Sequence, residues 1–182
     1  MPANLVMTVI GADRPGLVQL LADRVAAHQG NWLESRLCHL DGQFAGLVRV
    51  EIPPERTGAL LAALVALQTE GLQVVVQTGP PATPPVAGQA APPAGQLAQL
   101  DLVGHDRPGI LREISAVLAA HGVNVEELAS ERVSAPMDGA KLFQAHARVL
   151  LPAGLAFSTL RGALEKIAAD LMVDVQLRPP AA

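Results

Sequence analysis

Apolar residues recur along this chain with two periods that alternate in a fixed order. Leu5 to Ile10 is a short apolar run closed by Gly11, the pattern of a central buried strand. Leu17, Leu20, Leu21 and Val25 then fall on one helical face, with Pro15 placed to open the first helical turn. Beyond Gly30 the chain reads as a strand to Leu40, followed by Asp41-Gly42, a strong hairpin signal. The return strand alternates, with Val48, Val50 and Ile52 on one face and Leu47, Arg49 and Glu51 on the other. Pro53-Pro54 opens a second helix through Leu60, Leu61, Leu64 and Leu67, Gly71 closes it, and Val74 and Val76 mark a last strand.

The second half repeats this order. Its predicted strands are Leu100–Val103, Val125–Val133, Leu142–Leu151 and Met172–Leu177. One helix carries Ile110, Leu111, Ile114, Val117 and Leu118, the other Phe157, Leu160, Leu164, Ile167 and Leu171. The order βαββαβ, met twice, predicts an α+β protein of two ferredoxin-like units, each an antiparallel sheet with its helices on one face. Such a sheet leaves its other face and its edge strands in need of cover, which pairing between the two copies or between two chains would supply.

The repeat is also literal. Residues 11–16 read Gly-Ala-Asp-Arg-Pro-Gly and residues 104–109 read Gly-His-Asp-Arg-Pro-Gly, while Ala26, Ala27, His28 and Asn31 match Ala119, Ala120, His121 and Asn124 at the same displacement. Between the copies, Gly79 to Gly95 holds six prolines with no charge and no aromatic residue, the composition of a semi-extended linker. The expected organisation is a first domain over 1–78, a linker over 79–96 and a second domain over 97–182.

Charged residues make up only 16% of the chain against 50% hydrophobic ones, which excludes a disordered chain. A net charge of −4 excludes a strong sequence-independent grip on DNA. The longest apolar run, Ala59 to Leu67, is less than half the ~20 residues a bilayer requires, and the first residues carry no secretory pattern. A cytoplasmic protein is expected, with its surplus apolar surface buried between subunits or domains. The one cysteine, Cys38, sits in apolar surroundings and is expected to be a buried thiol.

The fold class alone decides no function. An RNA-recognition unit of this topology needs aromatic stacking residues, and the chain has no Tyr, one Trp and three Phe. A metal chaperone needs paired cysteines. No dinucleotide fingerprint, Walker loop, nucleophile elbow or His-Glu-x-x-His pair occurs, so no catalytic residue, metal ligand or cofactor is assigned. His28 and His121 are repeat-related and fall at helix C-termini, a structural position. What remains is the Asp-Arg-Pro-Gly turn. Its types suit a plain helix start, with Asp as a cap. They equally suit a ligand site, in which the N–H groups after Pro108 meet an anion and Asp106 attracts an ammonium group. Donors and a carboxylate side by side fit a zwitterion, a free amino acid.

The strand, Asp-Arg-Pro-Gly turn, apolar helix and Gly-x-Asn exit, seen as Gly122-Val123-Asn124-Val125, resemble the tandem ACT-domain proteins, small-molecule-sensing regulatory modules. The architecture without an attached catalytic domain, with the hairpin Ala135 to Phe143 running into Ala147 to Pro152, is similar to the glycine cleavage system transcriptional repressor group. In amino-acid-binding members the turn and the Asn meet a ligand at an interface between domains. The resemblance thus implicates Asp106, Pro108, Gly109 and Asn124 in the second copy, and Asp13, Pro15, Gly16 and Asn31 in the first. Where some members carry a polar contact residue two positions before the Asp, this chain has Gly11 and Gly104. The indole of Trp32 is expected to crowd the first copy, which makes the second the better site.

The resemblance implies a non-enzymatic, homodimeric regulator that senses an amino acid, glycine or serine first, and represses glycine-catabolism genes. Lacking a helix-turn-helix pattern, it would contact a DNA-bound transcription factor rather than DNA. The alternative is a detached regulatory subunit controlling a metabolic enzyme in trans.

Overall fold

The computed structural model describes residues 2–78, 95–134 and 141–179. The proline-rich segment and residues 135–140, where the sequence suggested a hairpin, therefore lie outside the described residues. The chain divides into two compact units, Met1–Ala87 and Gly88–Ala182. The first contains β1 (Ala3–Ala12), α1 (Leu17–Ala27), β2 (Asn31–Leu40), β3 (Gln43–Ile52), α2 (Thr57–Ala66, with a single 3-10 turn at each end) and β4 (Leu72–Thr78). The second contains β5 (Gln96–His105), α3 (Ile110–Ala120), β6 (Asn124–Ser134), β7 (Lys141–Leu151), α4 (Phe157–Leu171) and β8 (Val173–Arg178). Gln96, assigned to the linker by sequence, is the first residue of β5.

Both sheets are antiparallel, ordered β2-β3-β1-β4 and β6-β7-β5-β8. The alternation that predicted them is carried into the packing. Leu5, Met7 and Val9 of β1 and Val48, Val50 and Ile52 of β3 are buried with Leu21 of α1 and Leu60 and Leu64 of α2 in one cluster. Leu100, Leu102, Val149, Ile114, Leu160 and Leu164 do the same in the second unit. No residue from the opposite face of either sheet enters these clusters, so each unit has one helix-covered face and one open face. Both units also place a bulge at the third residue of the first hairpin strand, Leu33 in β2 and Glu126 in β6. The hairpin turn reads as predicted: Asp41 and Gly42 both take positive φ, 48° and 74°, the requirement of a type I′ turn.

Three expectations fail locally. Cys38 is exposed. It pairs with Ala45 on the open face, and apolar sequence neighbours do not bury a residue on an edge strand. Pro15 lies in the turn ahead of α1, which starts at Leu17. Met172 is the left-handed C-cap of α4 and not a strand residue.

Candidate functional site

The Asp-Arg-Pro-Gly turns are held the same way in both units. Each follows the first strand, and the Asp N–H donates across to the neighbouring hairpin, Asp13 to the Gly42 carbonyl at 2.9 Å and Asp106 to the Lys141 carbonyl at 2.8 Å. The Arg of each turn then reaches the far end of the unit's second helix. Arg14 Nη2 donates to the Glu70 carbonyl, and Arg107 Nη2 to the Asp170 carbonyl, both at 2.9 Å. Carbonyls in a last helical turn have no partner within the helix, so each Arg satisfies an acceptor that the fold leaves open. Sequence reasoning gave these arginines no role. Their recurrence beside the Asp in both copies was the available signal.

The helix start excludes the capping account of the Asp. The N-cap residues are Gly16 and Gly109, at φ 93° and 97°, and no side chain caps either α1 or α3. That backbone conformation is one that only glycine adopts at little cost. A Cβ there would meet nothing within 4 Å, so the space above each helix start is open. The N–H groups of the first turn face that space without a side-chain acceptor, an arrangement suited to an anion.

The carboxylates beside it differ between the units. Asp106 lies 3.5 Å from the Arg132 guanidinium, and Asp13 lies 3.8 Å from the His39 ring. Arg132 and His39 are repeat-related, so one unit faces its Asp with a guanidinium where the other has an imidazole.

The asparagines are elsewhere. Asn124 is level with Leu150, which pairs with Leu97 near the start of β5, whereas Asp106 follows His105 at the end of that strand. Eight strand residues separate the two levels, roughly 27 Å at the usual rise. Asn31 pairs with Glu51, level with Asn4, and is equally remote from Asp13. Asn124 donates instead to the Glu126 carboxylate two residues on. Within a unit, then, Asp106, Pro108 and Gly109 come together and Asn124 does not join them; Asp13, Pro15, Gly16 and Asn31 behave alike. Trp32 lies at the asparagine end and packs on the core, so it does not crowd Asp13 of its own unit. His28 and His121 are the C-caps of α1 and α3, each with Nδ1 2.8 Å from the carbonyl four residues back, the structural role expected of them.

A further cluster escaped the sequence reading. On the open face of the second sheet His146 Nδ1 lies 2.7 Å from Asp101, with Arg178 3.7 Å from the same carboxylate and Arg148 3.5 Å from Glu127. Among the described residues no group of three or more His, Cys, Asp or Glu is placed to hold a metal ion, and no helix is long and apolar enough to cross a membrane.

Two family models, both described as ACT domain, match residues 3–77 and residues 98–143. The chain belongs to the ACT-domain proteins. It carries two ACT domains in tandem, and their α+β ferredoxin-like fold is the one the periodicity predicted. Over 172 residues, 92% of this chain and 85% of the relative, it is 25% identical to the glycine cleavage system transcriptional repressor of Escherichia coli (strain K12), and equally to that of Shigella flexneri. A crystal structure of a protein of unknown function from Galdieria sulphuraria matches this ACT pair over 100% of both chains, at 28% identity and a TM-score of 0.80. A structure provisionally named a glycine cleavage system transcriptional repressor shares the fold over 100% of this chain and 99% of its own, at 17% identity and a TM-score of 0.69.

Proposed function

We propose that this tandem ACT protein is a non-enzymatic, amino-acid-sensing regulator that represses glycine-catabolism genes through a DNA-bound partner protein. The observation that carries the reading is the similarity to the glycine cleavage system transcriptional repressors, which runs through both units rather than one domain. The net charge of −4 favours action through a protein over a direct hold on phosphates.

The geometry supports a ligand held between copies. β6 is an edge strand with Asn124 at one end and, at the other, the Arg132 that faces Asp106. When the same edge of two chains pairs antiparallel, the start of one strand lies beside the end of the other. Asn124 of a second copy then comes to the Asp106 carboxylate and the open N–H groups after Gly109, which together offer a carboxylate for the ammonium group and N–H donors for the carboxylate of an amino acid. A homodimer completes in this way the site that one unit divides.

Thermal denaturation with free amino acids tests this. Glycine or serine at 100 times the dissociation constant should stabilise the fold by about 2.7 kcal/mol. For a chain of this size that is a melting shift on the order of 5–10 °C. Asp106→Ala should abolish the shift and leave the unliganded melt nearly unchanged, because Asp106 caps no helix and its exposed pair with Arg132 is worth at most about 1 kcal/mol. A glycine and serine response that persists in Asp106→Ala, or none in the parent protein, overturns the sensor assignment.

A further inference from the structure

Four strands form the edges of the two sheets, and three of them carry charge. β2 holds Glu34 and Arg36, β6 holds Glu127 and Arg132, and β8 holds Asp174 and Arg178. Charged side chains on an edge discourage other strands from pairing with it. β4 has none: from Leu72 to Thr78 it reads Leu-Gln-Val-Val-Val-Gln-Thr. Within its sheet it is bonded to β1 alone. Along its other side the backbone N–H and C=O groups have no ladder partner among the described residues.

The helix over this edge is free of charge as well. α2 reads Thr-Gly-Ala-Leu-Leu-Ala-Ala-Leu-Val-Ala, whereas α4 in the second unit carries Arg161, Glu165, Lys166 and Asp170. Leu60 and Leu64 of α2 are buried in the unit, but Val65 on its outer side is 63% exposed. A helix that is apolar all round has a second side to bury. Val65 lines one groove with Val74 and Val75, so the uncovered side of α2 adjoins the edge of β4. Glu70, the one charge between the two elements, is already matched by Arg24 at 3.0 Å.

The sequence of β4 identifies what fits there. Gln73-Val74-Val75-Val76-Gln77 reads the same in both directions. An antiparallel partner of the same sequence, centred on Val75, sets Val75 against Val75, Val74 against Val76 and Gln73 against Gln77. β-branched side chains directly opposite each other stabilise a strand pair, and facing glutamine amides can each donate and accept. Gln73, Val75 and Gln77 are exposed, while Val74 and Val76 pack against the core on the helix side. The sequence that follows, Gly79 to Gly95, is a poor rival occupant, because its six prolines donate nothing to a ladder.

We propose that β4 is a seam at which a second copy of this chain joins edge to edge, making one eight-stranded sheet with α2 against α2 across the two-fold axis. The contact is isologous, so one partner saturates it. It is distinct from the pairing of β6 edges proposed above, which uses the other unit; a chain that uses both contacts assembles beyond a dimer.

Light scattering of the full-length chain over a dilution series tests the seam with two double variants at exposed strand positions. Gln73→Lys with Gln77→Lys sets like charges opposite each other across the axis. Gln73→Lys with Gln77→Glu sets opposite charges there. The first should need at least about tenfold more protein to reach the parent's mean mass, and the second should associate at least as well as the parent. Circular dichroism checks that both keep the fold. An unchanged mass in the folded double-lysine variant, equal losses in the two variants, or a parent at the one-chain mass overturns the proposal. Whatever the β6 edge contributes is common to all three proteins, so the reading of Asp106 and Asn124 stands or falls separately.

Discussion

The two ACT units share a skeleton and differ in the face they leave open. In the first, Val6, Ile10, Leu47 and Val75 lie exposed on the open face, with Leu40 and Cys38 beside them on the edge strand. In the second, the register positions of Thr8 and Leu47 are held by Asp101 and His146, which pair with each other, and Arg148, Arg178 and Glu127 surround them. One cross-strand pair survives in both, Glu34 with Arg49 and Glu127 with Arg148. Inward positions have kept their apolar character because a helix layer must be buried on them. Outward positions were free to diverge, and they did so into an apolar surface and a solvated ionic one. Exposed apolar side chains of the first kind favour cover by another surface, whereas an ionic face of the second kind is at ease in water.

The comparison can be broken first at its common part. Leu64→Ala in α2 and Leu164→Ala in α4 each empty a fully buried site, and each should cost about 2–5 kcal/mol. The only tryptophan, Trp32, packs on the first core, so its fluorescence in a denaturant titration should register Leu64→Ala and ignore Leu164→Ala, which circular dichroism will detect. A tryptophan transition that moves equally in both variants would mean that the units do not unfold separately. Gly16→Ala and Gly109→Ala come next. With φ near +95° and open space around both, the cost is pure backbone strain, about 1–2 kcal/mol and the same in either unit. Unequal losses by thermal denaturation would show that the turns are not equivalent. The smallest stability effect belongs to the open faces. Thr8→Asp with Leu47→His grafts the second unit's pair onto the first and should change folding stability by no more than about 1 kcal/mol. The same variant should keep its assembly in light scattering, since the proposed copy contacts lie on the β6 and β4 edges; a fall to the one-chain mass would move them to the apolar face.

Element order was legible because burial imposes local periods: Val48, Val50 and Ile52 alternate in sequence and are all fully buried. What escaped the reading depends on register, which pairs residues far apart in the chain. Nothing near Asn124 says that it lies a whole strand length from Asp106; the length of α3 and the antiparallel pairing of β6 decide that. Trp32 was misplaced relative to Asp13 for the same reason, and Cys38 because an edge position is invisible in sequence. The Asp-Arg-Pro-Gly turn was found by its repetition, but the part played by Arg lay in a partner 56 or 63 residues away.

The two arginine braces carry a consequence for how the protein is made. Each joins the first turn of its unit to the end of the last helix, so each closes a loop that spans most of the unit. Loop closure of that size is not compensated by one hydrogen bond; it waits until the sheet and both helices have already brought the ends together. The turn that looks like a local motif is therefore finished last. A unit still emerging from the ribosome, or one cut between its helices, has the Asp-Arg-Pro-Gly sequence without its shape. Only a complete fold presents the open helix start beside the Asp.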